Sequence, residues 1–125
     1  GNRRVHRRHR HRRRDVVARG DIVVVSAPGD FGKPRPAVVV QTDFLNPTHA
    51  SILVCLVTSD RVDAPLFRIP LEPGPDTGLK TRSQIMVDKV VALGRHRLSA
   101  PIGKVDDETL LAINRALALV LGLVD

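Results

Sequence analysis

The sequence has few aromatic residues and almost no cysteine. Its 125 residues include three phenylalanines and neither tryptophan nor tyrosine, so aromatic stacking on nucleic-acid bases has few residues to draw on. Cys55 is the single cysteine, which excludes a disulfide within the chain and favours a reducing compartment. It lies in the apolar run SILVCLV, where a small core residue is the expected interpretation.

A long hydrophobic run is also absent. The longest apolar stretch, residues 116–124, has about half of the ~20 residues that a membrane-spanning helix needs. No apolar segment follows the N-terminal arginine block, so that block does not form a secretory signal. These absences predict no membrane association and a cytoplasmic location.

Metal-ligand spacings are missing as well. Three histidines lie in an arginine tract: His6, His9 and His11. The other two, His49 and His96, have no Cys, His or carboxylate neighbour at the spacing of metal ligands;. The sequence has no glycine-rich phosphate loop opening a helix and no serine in a nucleophile elbow. We therefore expect no metal and no other cofactor.

Positive charge is concentrated at one end of the chain. The formal net charge is +7 and the sequence pI is about 11.0. Residues 1–15 hold eight arginines and one aspartate, so they carry the whole excess. Such a block repels itself and buries nothing, which predicts a tail that is disordered when free. The tail either neutralises nucleic-acid phosphates non-specifically or is simply solvated. Residues 16–125 are neutral by sequence and suit a single domain.

Short apolar runs alternate with turn residues after the tail. The runs are rich in β-branched residues and the separators in Pro, Gly, Asn and Asp, which favours strands joined by turns. The predicted strands are DIVVVS (21–26), PAVVVQT (36–42), SILVCLV (51–57), LFRI (66–69) and QIMVDKVVAL (84–93). This spacing predicts a small β-barrel or sandwich.

The C-terminal segment has the pattern of a helix. Asp106 is the predicted N-cap, acidic residues follow it in the first turn, and Gly122 suits the position just past the end. An apolar stripe runs along one side, formed by Leu110, Ile113, Leu117 and Leu121. Further apolar residues widen that stripe. The helix therefore either packs on the sheet and meets a second subunit, or lies deep in its own core.

Arg35 is the first candidate for chemistry. It stands between two prolines in KPRPAVVVQ (33–41), which stiffen the backbone and hold the arginine out of helical geometry. A guanidinium set in this way binds phosphate at two points and stabilises charge that develops on phosphorus. The alternative is a turn arginine that pairs with Asp30 or Asp43.

Three other polar positions stand at strand ends or within an apolar run. Thr58 and Ser59 end the third strand, where hydroxyls either hold a phosphate or sugar oxygen or close a small turn. Asp88 interrupts QIMVDKVVAL, and a carboxylate in such a run needs a partner or an unusual role. The alternative is a structural role in which backbone donors or an arginine satisfy the carboxylate, and Arg82, Ser83 and Gln84 are near it in sequence.

Seven segments in one order resemble the MazF/PemK toxin family of toxin–antitoxin modules and together cover residues 19–123. They are RGDIVVV, KPRPAVVVQ, LNPTHASILV, LVTS, APLFRIPL, TGLKTRSQIMVDKV and IGKVDDETLLAINRALALVLGL. The resemblance implies an SH3-like β-barrel with a C-terminal helix that works as a homodimer. It also implies a metal-independent endoribonuclease that cuts single-stranded RNA at short sequences. A cognate antitoxin would inhibit it, and operator DNA would be bound only by the toxin–antitoxin complex.

The resemblance also assigns roles to residues. The 2′-hydroxyl of the RNA attacks the adjacent phosphate and leaves a 2′,3′-cyclic phosphate and a free 5′-hydroxyl. Arg35 would stabilise the pentavalent phosphate, and Thr58 would donate a hydrogen bond to it. The remaining candidates are expected to contact substrate: Phe31, Lys33, Ser59, Ser83, Gln84 and Asp88.

Two rival functions remain open at this stage. The CcdB type uses the same barrel as a non-catalytic poison of DNA gyrase and depends on the end of its helix, which often includes a tryptophan. This chain ends LGLVD without one, which argues against that function. The second rival is an inactive barrel that only binds an antitoxin or DNA.

Overall fold

The computed structural model describes residues 16–26 and 33–124. Within them lie six strands, a short 3₁₀ helix and a C-terminal α-helix. The strands are β1 (Asp21–Val25), β2 (Arg35–Val39), β3 (Ser51–Thr58), β4 (Arg68–Leu71), β5 (Ser83–Gly94) and β6 (Gly103–Lys104). The 3₁₀ helix is Arg95–Arg97 and the α-helix, α1, is Asp107–Val120. The predicted tail 1–15 and Phe31 lie outside the described residues.

The strands form one curled antiparallel sheet in the order β4-β5-β3-β2-β1-β6. The turn between β4 and β5 reaches the far edge, where the backbone N–H of Lys104 donates to the carbonyl of Asp76 at 2.9 Å. Gly103 packs so closely on Thr77 that an added Cβ would lie 2.3 Å from its backbone. This contact draws the two edges together and gives the sheet its half-barrel shape.

Every apolar run from the sequence contributes to a strand, because β-branched side chains pack well on a pleated, buried surface. The fourth run begins two residues later than predicted, at Arg68. Strand β6 was not predicted, since its two residues, Gly and Lys, carry no apolar pattern. The predicted fold class, mainly β with a C-terminal helix, is confirmed.

Each face of the sheet carries its own cluster of buried side chains. The helix face packs against α1 and includes Ile22, Val38, Cys55, Val57 and Ile85 together with Ile113 and Ala116 of the helix. The outer face carries the alternate residues of the same strands, among them Val23, Val25, Ala37, Val39 and Val54. Burial of each valine or isoleucine side chain contributes about 1.5–3 kcal/mol. Both faces are therefore apolar at the centre of the sheet.

Helix α1 begins as predicted. The Asp106 carboxylate accepts the backbone N–H of Thr109 at 2.7 Å. Hydrogen bonding from the side chain of Thr109 and from this N–H lowers the pKa of the carboxyl group. Gly122 follows the helix with a φ of 74°, the left-handed geometry that glycine adopts without strain.

The helix packs on the sheet by one side only. Ile113 and Ala116 are buried, whereas Leu111 and Leu119 of the same helix are 49% and 38% exposed. The alternative in which the helix lies deep in its own core is therefore wrong. Contact with a second subunit stays a prediction. No helix among the described residues has the length and hydropathy to cross a membrane.

Candidate active site

Polar side chains form a row across the outer face where the strands end. Val25 is opposite Arg35, Thr58 is opposite Gln84, and Gln84 is opposite Pro70. The pairing of Ala37 with Leu56, continued by one two-residue step, places Arg35 across from Thr58. Directly opposed residues project to the same face of a sheet, with Cβ atoms about 4.5–5.5 Å apart. The row therefore places opposite each other, on one face, the two residues that the sequence singled out, Arg35 and Thr58.

Arg35 is the first residue of β2 and is half-buried, while Lys33 and Pro34 before it are exposed. The proline that follows Arg35 holds its backbone in the extended region, which matches the strand geometry it adopts. A restricted backbone limits the directions that the side chain can take, so less conformational freedom is lost when an anion binds.

The alternative partners predicted for Arg35 lie elsewhere or outside the described part of the chain. Asp43 lies beyond the other end of β2, where its Oδ1 accepts the backbone N–H of Arg19 at 2.7 Å and the side-chain amide of Asn46 at 3.0 Å. Asp30 is outside the described residues.

Thr58 ends β3 with its hydroxyl oxygen already used as an acceptor. The backbone N–H of Asp60 donates to Thr58 Oγ1 at 3.0 Å, which is the small turn foreseen as the alternative for this residue. A hydroxyl group both accepts and donates, and no hydrogen bond donated by Thr58 is found among the described residues. The turn thus orients the hydroxyl and leaves its proton for another acceptor.

A cleft opens beside this row. Its volume is about 320 Å³, and its lining includes Thr58, Ser59 and the segment 78–81. Ser59 is exposed, so its hydroxyl is accessible to a ligand. Ser83 also lines the cleft, but it is 4% exposed and donates to the carbonyl of Thr81 at 3.0 Å.

The Gln84 side chain holds the segment that follows Thr58. Its Nε2 donates to the carbonyl of Val62 at 2.9 Å, and its Oε1 accepts the backbone N–H of the same residue at 3.0 Å. Such paired bonds restrain the backbone of residues 59–62 over the sheet. Gln84 therefore positions the residues that follow Thr58. The sequence around Gln84 does not indicate this role.

Asp88 is exposed, so the expectation that it needs a buried partner is wrong. The reason is an irregularity in the pairing of β3 with β5. The register shifts between Cys55 and Val57, so that Cys55 pairs with Val90 and Val57 with Ile85. The surplus residues of β5 form a bulge that lets Asp88 and Lys89 reach solvent.

One charged residue on this face was missed by the sequence analysis. Arg68 opens the edge strand β4 opposite Met86, and its Nε and Nη1 atoms are buried without a hydrogen bond to any described residue. The signal in the sequence was an arginine inside the apolar run LFRI, at a position that alternates with a core residue, Ile69.

The thiol of Cys55 takes no part in the site. The side chain is fully buried on the helix face, as predicted, and burial raises its pKa to about 12. A neutral, inaccessible thiol is a poor nucleophile. Within residues 16–26 and 33–124, no three His, Cys, Asp or Glu side chains gather as a metal centre requires.

Known proteins resemble the chain along most of its length. Residues 18–121 match the model of the family described as PemK-like, MazF-like toxin of type II toxin-antitoxin system. The chain is 42% identical over 108 residues to a probable endoribonuclease MazF of Mycolicibacterium smegmatis, covering 86% of this chain and 98% of that protein. It is 26% identical over 117 residues to the endoribonuclease EndoA of Bacillus subtilis, covering 88% and 98% respectively.

A solved structure shares the fold. An endoribonuclease in complex with its cognate antitoxin, from a mycobacterial species, superposes with a TM-score of 0.70 at 26% identity, covering 87% of this chain and 98% of that one. The family and the enzyme class predicted from the sequence are thereby confirmed. The chain, with its curled sheet and its Arg35 and Thr58 row, belongs to the PemK-like, MazF-like toxins of type II toxin–antitoxin systems.

Proposed function

We propose that this toxin cleaves single-stranded RNA at short sequences by attack of the RNA's own 2′-hydroxyl, without a metal ion. The observation that carries the proposal is the register that sets Arg35 across from Thr58, which lines an open cleft. A fixed cation and an oriented hydroxyl are the groups that a phosphoryl transfer needs around its phosphorus.

The proposed step conserves atoms and charge. The 2′-oxygen forms a bond to phosphorus as the bond to the 5′-oxygen breaks, which leaves a 2′,3′-cyclic phosphate on one product and a 5′-hydroxyl on the other. One proton leaves the 2′-hydroxyl and one is gained by the 5′-oxygen. Negative charge accumulates on the equatorial oxygens of the pentavalent phosphate between these events.

The two catalytic residues in this proposal act on those oxygens. The Arg35 guanidinium presents two donors in a plane, which suits two phosphate oxygens at once. Thr58 donates its hydroxyl proton to another oxygen, because its own oxygen is engaged by Asp60 N–H. Removing one such donor from an enzyme typically lowers kcat by about 10²–10³-fold.

The remaining predicted site residues are assigned to substrate binding in the same proposal. Lys33 and Ser59 are exposed beside the two catalytic residues and offer a cation and a hydroxyl to the RNA backbone. Gln84 acts through the segment that it holds, and Ser83 lines the cleft. The exposed carboxylate of Asp88 is assigned to a hydroxyl or base N–H of the RNA and not to a phosphate, because a carboxylate accepts hydrogen bonds and repels anions;. Phe31, outside the described residues, is the proposed base-stacking residue.

The protein partners belong to the proposal as well. A solved neighbour is an endoribonuclease bound to its cognate antitoxin, which supports a cognate antitoxin for this chain. Exposed apolar side chains at the end of α1 support a homodimer, because a buried interface removes such surface from water. Binding of operator DNA is assigned only to the toxin–antitoxin complex.

The test is cleavage of a long RNA by the purified full chain in EDTA. Primer extension is expected to show discrete stops. The upstream fragments are expected to end in a cyclic phosphate that a 2′,3′-cyclic phosphodiesterase opens. Intact RNA at high protein concentration would overturn the proposal. Metal-dependent cuts or 5′-phosphate products would overturn the mechanism. Inhibition of gyrase supercoiling with intact RNA would assign the chain to the gyrase poisons instead.

A further inference from the structure

We propose that Arg68 binds a phosphate of the RNA strand adjacent to the scissile one, as a binding residue distinct from Arg35. The inference rests on the proposed function, since it adds a contact for the same substrate. It starts from the guanidinium itself. Nε and Nη1 of Arg68 are buried and make no hydrogen bond to the residues that the structure describes.

An unpartnered buried guanidinium is costly for a folded protein. A buried donor without an acceptor costs about 1–3 kcal/mol, and more when it carries charge. Among the described residues the one ion pair joins Arg82 to Glu72, so no described carboxylate lies within ion-pair distance of Arg68. A group with such an unmet demand is satisfied when a ligand supplies oxygens.

The position of Arg68 in the sheet selects the ligand. Arg68 is opposite Met86, and Pro70 is opposite Gln84, so the arginine projects to the outer face like Gln84 and Thr58. Two strand spacings and one two-residue step separate Arg68 from Thr58, a Cα distance of about 12 Å in a flat sheet. At that separation Arg68 reaches a neighbouring nucleotide and not the phosphate held by Arg35.

Phosphate is the chemistry that best fits this side chain. The guanidinium fork matches two phosphate oxygens, stays charged at every working pH and is more weakly hydrated than an ammonium group. Nη2 is not among the buried nitrogens of Arg68, so an extended polyanion that crosses the edge strand contacts the guanidinium there. The partly buried surroundings strengthen the attraction relative to a solvated surface contact.

The test compares Arg68→Met with Arg115→Met on the RNA that the wild type cuts. Arg115 is exposed on α1, which packs on the helix face, so both variants lose the same charge and gain the same side chain. Arg68→Met is expected to raise KM about ten- to a hundredfold with little change in kcat, because the contact is made equally in ground and transition states. Arg115→Met is expected to retain the wild-type KM.

Salt dependence distinguishes a phosphate contact from a structural role. Loss of one phosphate contact to single-stranded RNA makes the slope of log affinity against log salt shallower by about 0.7. Arg68→Lys is expected to keep the wild-type slope with an intermediate KM, since it keeps the charge without the fork. The unfolding midpoint of Arg68→Met is expected to stay equal or rise, because a buried unpartnered charge is removed.

Several results would overturn this assignment. One is an Arg68→Met variant with the wild-type KM and the wild-type slope of log affinity against log salt. Another is a rise in KM for one RNA sequence only, with an unchanged salt slope, which would indicate a contact with a base. Loss of antitoxin inhibition with an unchanged KM would assign Arg68 to the protein partner. If the wild type cuts no RNA, the proposed function itself fails. Normal cutting by Arg68→Met refutes only the inference about Arg68.

Discussion

The hydroxyl oxygen of Thr58 accepts the backbone N–H of Asp60 at 3.0 Å, so the turn that ends β3 also orients the proposed phosphate donor. Thr58→Val, which matches the side-chain shape and lacks the hydroxyl, is expected to lower the single-turnover cleavage rate about 10²–10³-fold. Thr58→Ser keeps both hydrogen-bonding functions and is expected to stay within about tenfold of the wild type. Equal rates for the valine and serine variants would remove Thr58 from the mechanism.

Arg35→Ala is expected to lower the cleavage rate about 10²–10³-fold without loss of the fold, because the side chain lies at the end of β2 and outside the buried clusters;. Arg35→Lys retains the charge but not the planar fork, and an intermediate rate is expected. Single-turnover cleavage measures the rates, and thermal unfolding reports the fold. Arg115→Ala is the matched control for lost charge, and cleavage by Arg35→Ala at its level would end the assignment.

Gln84→Leu is expected to release the segment that follows β3, because both hydrogen bonds to the Val62 backbone are lost. The amide of Val62 should then exchange with solvent about tenfold faster, which hydrogen exchange with NMR detection measures. Cleavage should fall as well, since the neighbours of Thr58 are no longer held. Gln84→Glu keeps only the acceptor and is expected to fall between the two. Unchanged exchange at Val62 would show that the segment is restrained by other contacts.

Burial of Cys55 makes stability sensitive to high pH. Its pKa rises from 9.0 to about 12 on folding, so the unfolded chain loses this proton first. The stabilisation is complete below pH 9 and is lost as the pH rises from 9 towards 12, with a loss of about 2 kcal/mol near pH 10.5. Urea unfolding of the wild type should therefore weaken more between pH 8 and 10.5 than that of Cys55→Val. Parallel losses in the two proteins would contradict a buried neutral thiol.

The cap of α1 makes stability sensitive to acid. Hydrogen bonding to Thr109 lowers the pKa of Asp106 below its ordinary value of 3.8, so its stabilisation is present above that value and is lost as the pH falls through the lower folded-state pKa. Asp106→Ala should lower the urea midpoint at pH 7, and the difference from the wild type should shrink in acid. Asp106→Asn caps without titrating and serves as the control. A difference that persists at pH 2 would assign the loss to packing.

The strands were predictable because local preferences and burial agree along them. After Ser51 the run SILVCLV is apolar throughout, and β3 occupies the run with one further residue, Thr58. The helix was predictable for a similar reason, since Asp106 and Gly122 mark its ends by backbone chemistry that acts within a few residues. The two residues of β6 have no such local preference. This strand forms because its backbone pairs with β1 and contacts the turn at Asp76.

The site was predictable in part. Adjacent prolines marked Arg35, and the end of an apolar run marked Thr58. The register of β2 against β3 then placed the two residues opposite each other. The two hydrogen bonds between Gln84 and the Val62 backbone join residues 22 positions apart, and no local sequence pattern indicates them. Asp88 was misjudged because a bulge, which shifts the register of β5 against β3, turns a carboxylate that looked buried into an exposed one.

Sequence alone determined the chemical groups available to this toxin and the segments that form strands and helix, because these depend on covalent identity and short-range preference. Tertiary structure decided which of those groups meet. Pairing across the sheet set Arg35 across from Thr58 and buried Cys55 on the opposite face. It also left two buried nitrogens of Arg68 without a hydrogen bond to any residue that the structure describes. Distances between residues far apart in the chain depend on the register and curl of the whole sheet, which arise from packing on both of its faces at once.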